Sequence, residues 1–126
     1  EQVAEMQRLK TGALIEASVV LGAMASGAAV ETNRFVALRK YAEQIGRAFQ
    51  VCDDILDIVG DRVVLGKAVH ADQHADKSTA VSSLGLEGAQ HYARQLLLGA
   101  LTALDVFGPE ADTLRKLAYV VVERDL

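Results

Sequence analysis

Apolar positions recur with a period near 3.6 along almost the whole chain, and no stretch alternates as a half-buried strand does. The pattern predicts a first helix from Glu1 to about Ser26, interrupted at Lys10-Thr11-Gly12. Glycine costs about 1 kcal/mol relative to alanine inside a helix, and a threonine hydroxyl bonding back to a preceding carbonyl bends one. A kink there turns the Lys10 carbonyl and amine toward whatever the helix lines; the plainer outcome is a helix with one tolerated glycine. Gly27-Ala28-Ala29 reads as a turn. Thr32 or Asn33 then caps a long second helix that buries Phe35, Leu38, Tyr41, Ala42 and Ile45 and closes near Gly60. Asp61 to Lys77 forms an extended loop. A short helix follows, capped by Ser78 or Thr79 and ending at Leu84. An amphipathic helix runs from Leu86 to Phe107, with Ala89, Tyr92, Ala93, Leu96, Leu97, Ala100, Ala103, Leu104 and Phe107 inward. Gly108-Pro109 stops it, and a last helix from Glu110 to about Arg124 turns Leu114, Leu117, Ala118, Val121 and Val122 to the core.

Within the second helix the stretch Phe49-Gln50-Val51-Cys52-Asp53-Asp54-Ile55-Leu56-Asp57-Ile58-Val59-Gly60-Asp61 breaks the ordinary pattern. At 3.6 residues per turn, Gln50, Asp53, Asp54, Asp57 and Asp61 share a stripe roughly 100° wide, the width of one helix face. Gly46 lies on the same stripe one turn earlier and leaves room above the carboxylates. The remaining girth is apolar, as in a buried helix, so the polar stripe faces a cavity or a partner. A solvated acidic face is the alternative, but these residues suit it poorly. Aspartate is about 0.7 kcal/mol worse than alanine in a helix, Asp53 and Asp57 repel each other at i and i+4, and Asp57 near a helix C-terminus opposes the macrodipole. Short-armed carboxylates in D-D-x-x-D order suit a hard divalent cation. Mg²⁺ takes one or two carboxylates, several waters and substrate phosphate oxygens.

Length and composition narrow the classes. The chain has 126 residues, is 51% apolar and carries a single proline, so it is the size of one domain and can bury a core. A net charge of −4 argues against a nucleic-acid binder. The one cysteine, Cys52, rules out a disulfide framework and fits a reducing cytoplasm. The apolar run from Ala13 to Val30 is interrupted by Glu16, Ser18 and Ser26, so no membrane span is expected. The first residues, Glu1-Gln2-Val3-Ala4-Glu5-Met6, read as mid-helix, as in a piece of something longer. Lys67 and Lys77 lie close in sequence to the acidic face, where a polyanionic phosphate ligand calls for ammonium groups; two solvated loop lysines are the plainer reading. His70 and His74 with Asp72 and Asp76 lack the third imidazole or thiolate of a zinc site, and Glu87 with His91 reads as a surface pair.

The motifs F-Q-V-C-D-D-I-L-D, K-T-G upstream and G-K-x-x-x-A-D-x-x-x-D-K-S-T downstream together resemble the trans-isoprenyl diphosphate synthases, most closely the bacterial short-chain farnesyl and geranyl types. The similarity covers essentially all 126 residues. It implies an all-α, isoprenoid synthase-type barrel of long helices around a central cavity, of which residues 1–126 would be the C-terminal portion of a single domain. The acidic motif here resembles the second of the family's two, and the first would lie upstream of Glu1. Carried over by resemblance, Asp53, Asp54 and Asp57 would hold Mg²⁺ on the allylic diphosphate, with Asp53 the direct ligand. Lys10, Lys67 and Lys77 would neutralise the departing diphosphate. Thr11, the Lys10 carbonyl and Gln50 would face the allylic cation, and Phe49 would line the hydrocarbon pocket. The reaction implied is ionisation, attack by the isopentenyl double bond and proton loss, with a homodimer as the assembly.

This sequence departs from the family pattern at His70 and Asp76, where glycine is usual or frequent. Ala80-Val81 replaces an aromatic–proline pair, and Glu16 stands where a basic residue is common. None of these touches the D-D-x-x-D box. Two other classes remain to be set against prenyl transfer: a terpene cyclase, which pairs its acidic box with an N-S-E-type triad and lacks K-T-G, and a non-catalytic subunit or inactive fragment of a synthase.

Overall fold

A computed structural model describes residues 2–27, 32–64 and 80–123, with backbone alone for 2–8, 10, 61–64 and 80. The described elements are helices α1 (Gln2–Ala25), α2 (Asn33–Val64), α3 (Ala80–Ala103) and α4 (Asp112–Glu123), with two short 3₁₀ turns, Leu104–Val106 and Pro109–Ala111, between the last two. All four helices are where the periodicity expects them, and the described residues contain no strand.

The boundaries differ from expectation where glycine was read as a stop. α1 continues through Lys10-Thr11-Gly12 without a break, as a helix with one tolerated glycine does. α2 passes Gly60 and ends at Val64. One helical glycine costs only about 1 kcal/mol, less than the packing that holds a long helix on its neighbours. Asp57 is therefore seven residues from the helix end, outside the last turn in which the macrodipole acts. Gly85 does interrupt its helix: at φ 75°, ψ 171° it separates residues 80–84 from the rest of α3, at the expected junction between Leu84 and Leu86. α3 stops at Ala103 rather than Phe107, because the chain tightens into the Leu104–Val106 turn. Phe107 still packs on the core from an extended backbone.

The ends are closed by local bonds. Gly27, at φ +85°, donates its N–H to the Met24 carbonyl (3.0 Å) beyond α1, a left-handed residue in the position glycine favours. Thr32 caps α2, its hydroxyl accepting from the Phe35 N–H at 3.2 Å. After α3, Arg115 reaches back from α4 and donates to the carbonyls of Leu104 (3.0 Å), Phe107 (2.9 Å) and Gly108 (2.8 Å) and to Asp112 Oδ1 (2.7 Å).

α2 is the central element and touches the other three helices. Contacts of Gly46 with Gly12 and of Arg39 with Glu16 run in opposite directions along the chain, so α1 lies antiparallel to α2. Gln44 against Gly99 and Arg34 over Phe107 make α3 antiparallel to it as well. The Tyr41 hydroxyl donates to the Leu114 carbonyl (2.8 Å), and the Cys52 thiol lies 3.9 Å from that of Val122, so α4 is parallel to α2. The core lies among α2, α3 and α4: Tyr41, Ile45, Ala48, Cys52 and Ile55 meet Ala93, Leu96, Leu97, Leu104, Ala118 and Val122. Leu117, expected inward, is 48% exposed; it lies about 100° around the helix from Ala118. The outer face of α1 is apolar and open, with Leu9, Leu14, Leu21 and Met24 exposed. No described helix is long and apolar enough to cross a membrane.

Candidate functional site

Aspartate-rich α2 and the K-T-G step of α1 come together where Gly46 faces the backbone of Gly12. Gly46 is buried, and a Cβ placed there would lie 3.5 Å from both the Cα and the carbonyl oxygen of Gly12. At that distance a methyl group on α2 would already be in van der Waals contact with the backbone of α1. The space over Gly46 is thus filled by α1 rather than left open above the carboxylates, which corrects the reading of that position. Gln50 lies one turn beyond Gly46 and Thr11 one residue before Gly12, so the contact puts these two half-buried polar residues on adjoining stretches of neighbouring helices. The Lys10 backbone lies in the same stretch of α1; its side chain, like Lys67 and Lys77, lies outside the described residues, as do His70, His74, Asp72 and Asp76.

The acidic stripe is graded in depth rather than evenly enclosed. Asp54 is buried, at 8% exposure; Gln50 and Asp53 are half-buried and Asp57 is exposed. Of the five stripe residues Asp54 stands furthest round toward α2's buried side, whereas Asp53 and Asp57, at i and i+4, occupy the open side one above the other. Among the described residues no three His, Cys, Asp or Glu side chains form a metal-holding group. Two carboxylates one turn apart nonetheless match the donor set of a hard cation that completes its shell with water and phosphate oxygens. Phe49 is half-buried beside Gln50. Glu16, at the position where a basic residue is common, makes an exposed ion pair with Arg39 at 3.4 Å, a contact worth at most about 1 kcal/mol. His91 meets Gln95 (3.1 Å).

Sequence reasoning found the stripe and K-T-G but not the contact that joins them. Its only trace in the sequence is a glycine on each of two helices whose registers a periodicity argument leaves independent.

Known proteins resemble the chain along nearly its whole length. The family model for polyprenyl synthetase matches residues 1–107. A farnesyl diphosphate synthase of Escherichia coli strain K12 is 46% identical over 125 residues, covering 95% of this chain and 41% of that protein. That of Haemophilus influenzae is 44% identical over 119 residues, 94% of this chain and 40% of its own length. A chloroplastic geranylgeranyl pyrophosphate synthase of Catharanthus roseus is 44% identical over 117 residues. Among solved structures, an FPP/GFPP synthase of Zymomonas mobilis superposes with a TM-score of 0.75 at 37% identity, over 95% of this chain and 37% of that one. The chain spans about two-fifths of the length of the bacterial relatives it matches.

Proposed function

Because the chain belongs to the polyprenyl synthetase family, we propose that it serves Mg²⁺-dependent head-to-tail prenyl transfer, condensing isopentenyl diphosphate with dimethylallyl or geranyl diphosphate to a short-chain product such as farnesyl diphosphate. The observation that carries the reading is the Gly12–Gly46 contact, which joins K-T-G to the helix bearing the D-D-x-x-D box. Asp53 and Asp57 offer the open carboxylates for the metal end, Asp53 as direct ligand, with Asp54 completing the motif from its buried position. When bound, the ion supplies charge neutralisation to a leaving diphosphate.

The chain's own residues have the following parts. Lys10, Lys67 and Lys77 neutralise the diphosphate as the C–O bond breaks. Thr11, the Lys10 carbonyl and Gln50 direct oxygen dipoles at the positive charge that develops on the allylic carbon, an electrostatic role set in place before reaction. Phe49 holds the hydrocarbon chain and keeps water from the cation. The departing diphosphate takes the proton lost after the new carbon–carbon bond forms, so no side-chain nucleophile is required. Residues 1–126 contribute the C-terminal portion of the catalytic domain, working as a cytoplasmic homodimer.

The test is condensation of isopentenyl diphosphate with an allylic diphosphate by the complete polypeptide. Asp53→Ala is expected to lower kcat by at least a hundredfold with the circular dichroism unchanged, and unchanged steady-state kinetics would refute the metal role. The 126-residue chain alone, spanning two-fifths of its bacterial relatives, is expected to show little or no turnover; robust product formation would refute that division of labour.

A further inference from the structure

We propose that Gly46 is a positioning residue: it gauges how closely α1 approaches α2 and thereby sets where Thr11 stands relative to Gln50. This inference rests on the prenyl-transfer reading for the use of those two groups, and on the glycine contacts for the rest.

The contacts are selective. A Cβ at Gly12, Gly22 or Gly60 would meet nothing within 4 Å, so those glycines answer to no packing demand among the described residues. At Gly88, Gly99 and Gly108 a Cβ would meet side-chain atoms, of Leu84, Gln44 and Glu110. Among the described glycines, only at Gly46 does it meet the backbone of another helix, with the Cα, carbonyl oxygen and carbonyl carbon of Gly12 at 3.5, 3.5 and 3.9 Å. Backbone cannot rotate aside as a side chain can. Position 46 therefore has room for a methyl group in ordinary van der Waals contact and for nothing larger unless α1 moves.

The lever is short. From Gly46 to Gln50 is one helical turn, and from Gly12 to Thr11 one residue, so displacing α1 at this point displaces Thr11 by nearly the same amount. A longer side chain at position 46 adds heavy atoms to a Cβ already in contact with the α1 backbone, so α1 gives way as the side chain grows. A misplacement of about 1 Å in an oriented site costs on the order of a hundredfold in rate. Asp53 and Asp57 project from α2 itself beyond Gln50, so these carboxylates do not move with α1, whereas Lys10 moves with it.

The experiment is a size series at position 46 in the complete enzyme: Gly46→Ala, Gly46→Ser and Gly46→Val. It reads single-turnover rate constants with enzyme in excess, which do not depend on the fraction of active protein, together with KM for the allylic diphosphate. Gly46→Ala is expected within threefold of the parent, Gly46→Ser about tenfold slower and Gly46→Val about a hundredfold slower, with the fall in rate larger than any rise in KM at each step. Arg115→Ala, remote from the site, serves as the control that loses stability and keeps the single-turnover rate. Should Gly46→Val fail to fold, Gly46→Ser carries the test. A series that keeps the parental rate overturns the proposal, as does a rate loss shared by Arg115→Ala. If instead the parent does not condense these substrates, or Asp53→Ala leaves it active, the functional reading fails first and is recognised separately.

Discussion

Replacing Arg115 by alanine is the most direct measure of what ties α4 to α3. One guanidinium, 26% exposed at its side chain, donates to the carbonyls of Leu104, Phe107 and Gly108 just beyond α3 and to Asp112. Hydrogen bonds to a charged group contribute about 1.5–3 kcal/mol each, but the four do not add. The carbonyls of Leu104 and Gly108 keep backbone donors, from Phe107 (3.0 Å) and Ala111 (3.2 Å), and the Asp112 pair, with its carboxylate 60% exposed, is worth under 1 kcal/mol. The loss then centres on the Phe107 carbonyl and the folded-back loop it holds, about 2 kcal/mol. For a chain of this size that is a fall in Tm of about 8 °C. Arg115→Lys keeps the charge but replaces a planar fork with a point donor, and is expected to recover no more than half. Thermal and urea unfolding followed at 222 nm give both values. An Arg115→Ala stability within 0.5 kcal/mol of the parent, or Arg115→Lys equal to it, would show that the loop is held by packing alone.

Burial raises the Tyr41 phenol from 10.0 to about 12. The protonated form is therefore favoured by folding: its contribution is complete below pH 10 and is lost as the pH rises from 10 through 12, on the order of 2 kcal/mol in all. Tyr41→Phe is expected to remove that alkaline limb and to cost about 1 kcal/mol at neutral pH through the lost bond to Leu114; an unchanged pH–stability profile would contradict this. Two glycine replacements should move in opposite directions. Gly60→Ala, in a continuous helix with nothing within 4 Å of the Cβ among the described residues, should raise stability by about 0.5–1 kcal/mol, whereas Gly85→Ala, at φ 75° and ψ 171°, should lower it by about 1–3 kcal/mol. Equal signs in denaturant titrations would show that one of the two backbones is not as described.

What could be read from the sequence was whatever is decided within a few residues. The Thr32 cap, the break at Gly85 and the buried face from Ala89 to Leu104 all follow from spacing and local chemistry. Gly60 misled because a penalty of about 1 kcal/mol for one glycine is smaller than the tertiary packing it opposes, and packing has no signature in a local window. Asp53, Asp54 and Asp57 could be placed on one face by counting, but their graded burial depends on what surrounds α2. Leu117 shows the reverse: an apolar residue a quarter-turn from the core face is indistinguishable by type from one that points inward. The approach of Gly46 to Gly12 depends on the relative slide of two helices, which neither helix encodes alone.

The open side of α1 has a practical consequence at the bench. Between Thr11 and Ala25 its sole ionised side chain is Glu16, while Leu14 and Leu21 stand 67% and 64% exposed. A surface of that kind is an association liability, expected to take up hydrophobic dyes and to gather molecules into clusters as protein concentration rises. Melting curves and titrations on the 126-residue chain therefore belong in a dilution series, where a midpoint that drifts with concentration reports clustering and a steady one reports folding.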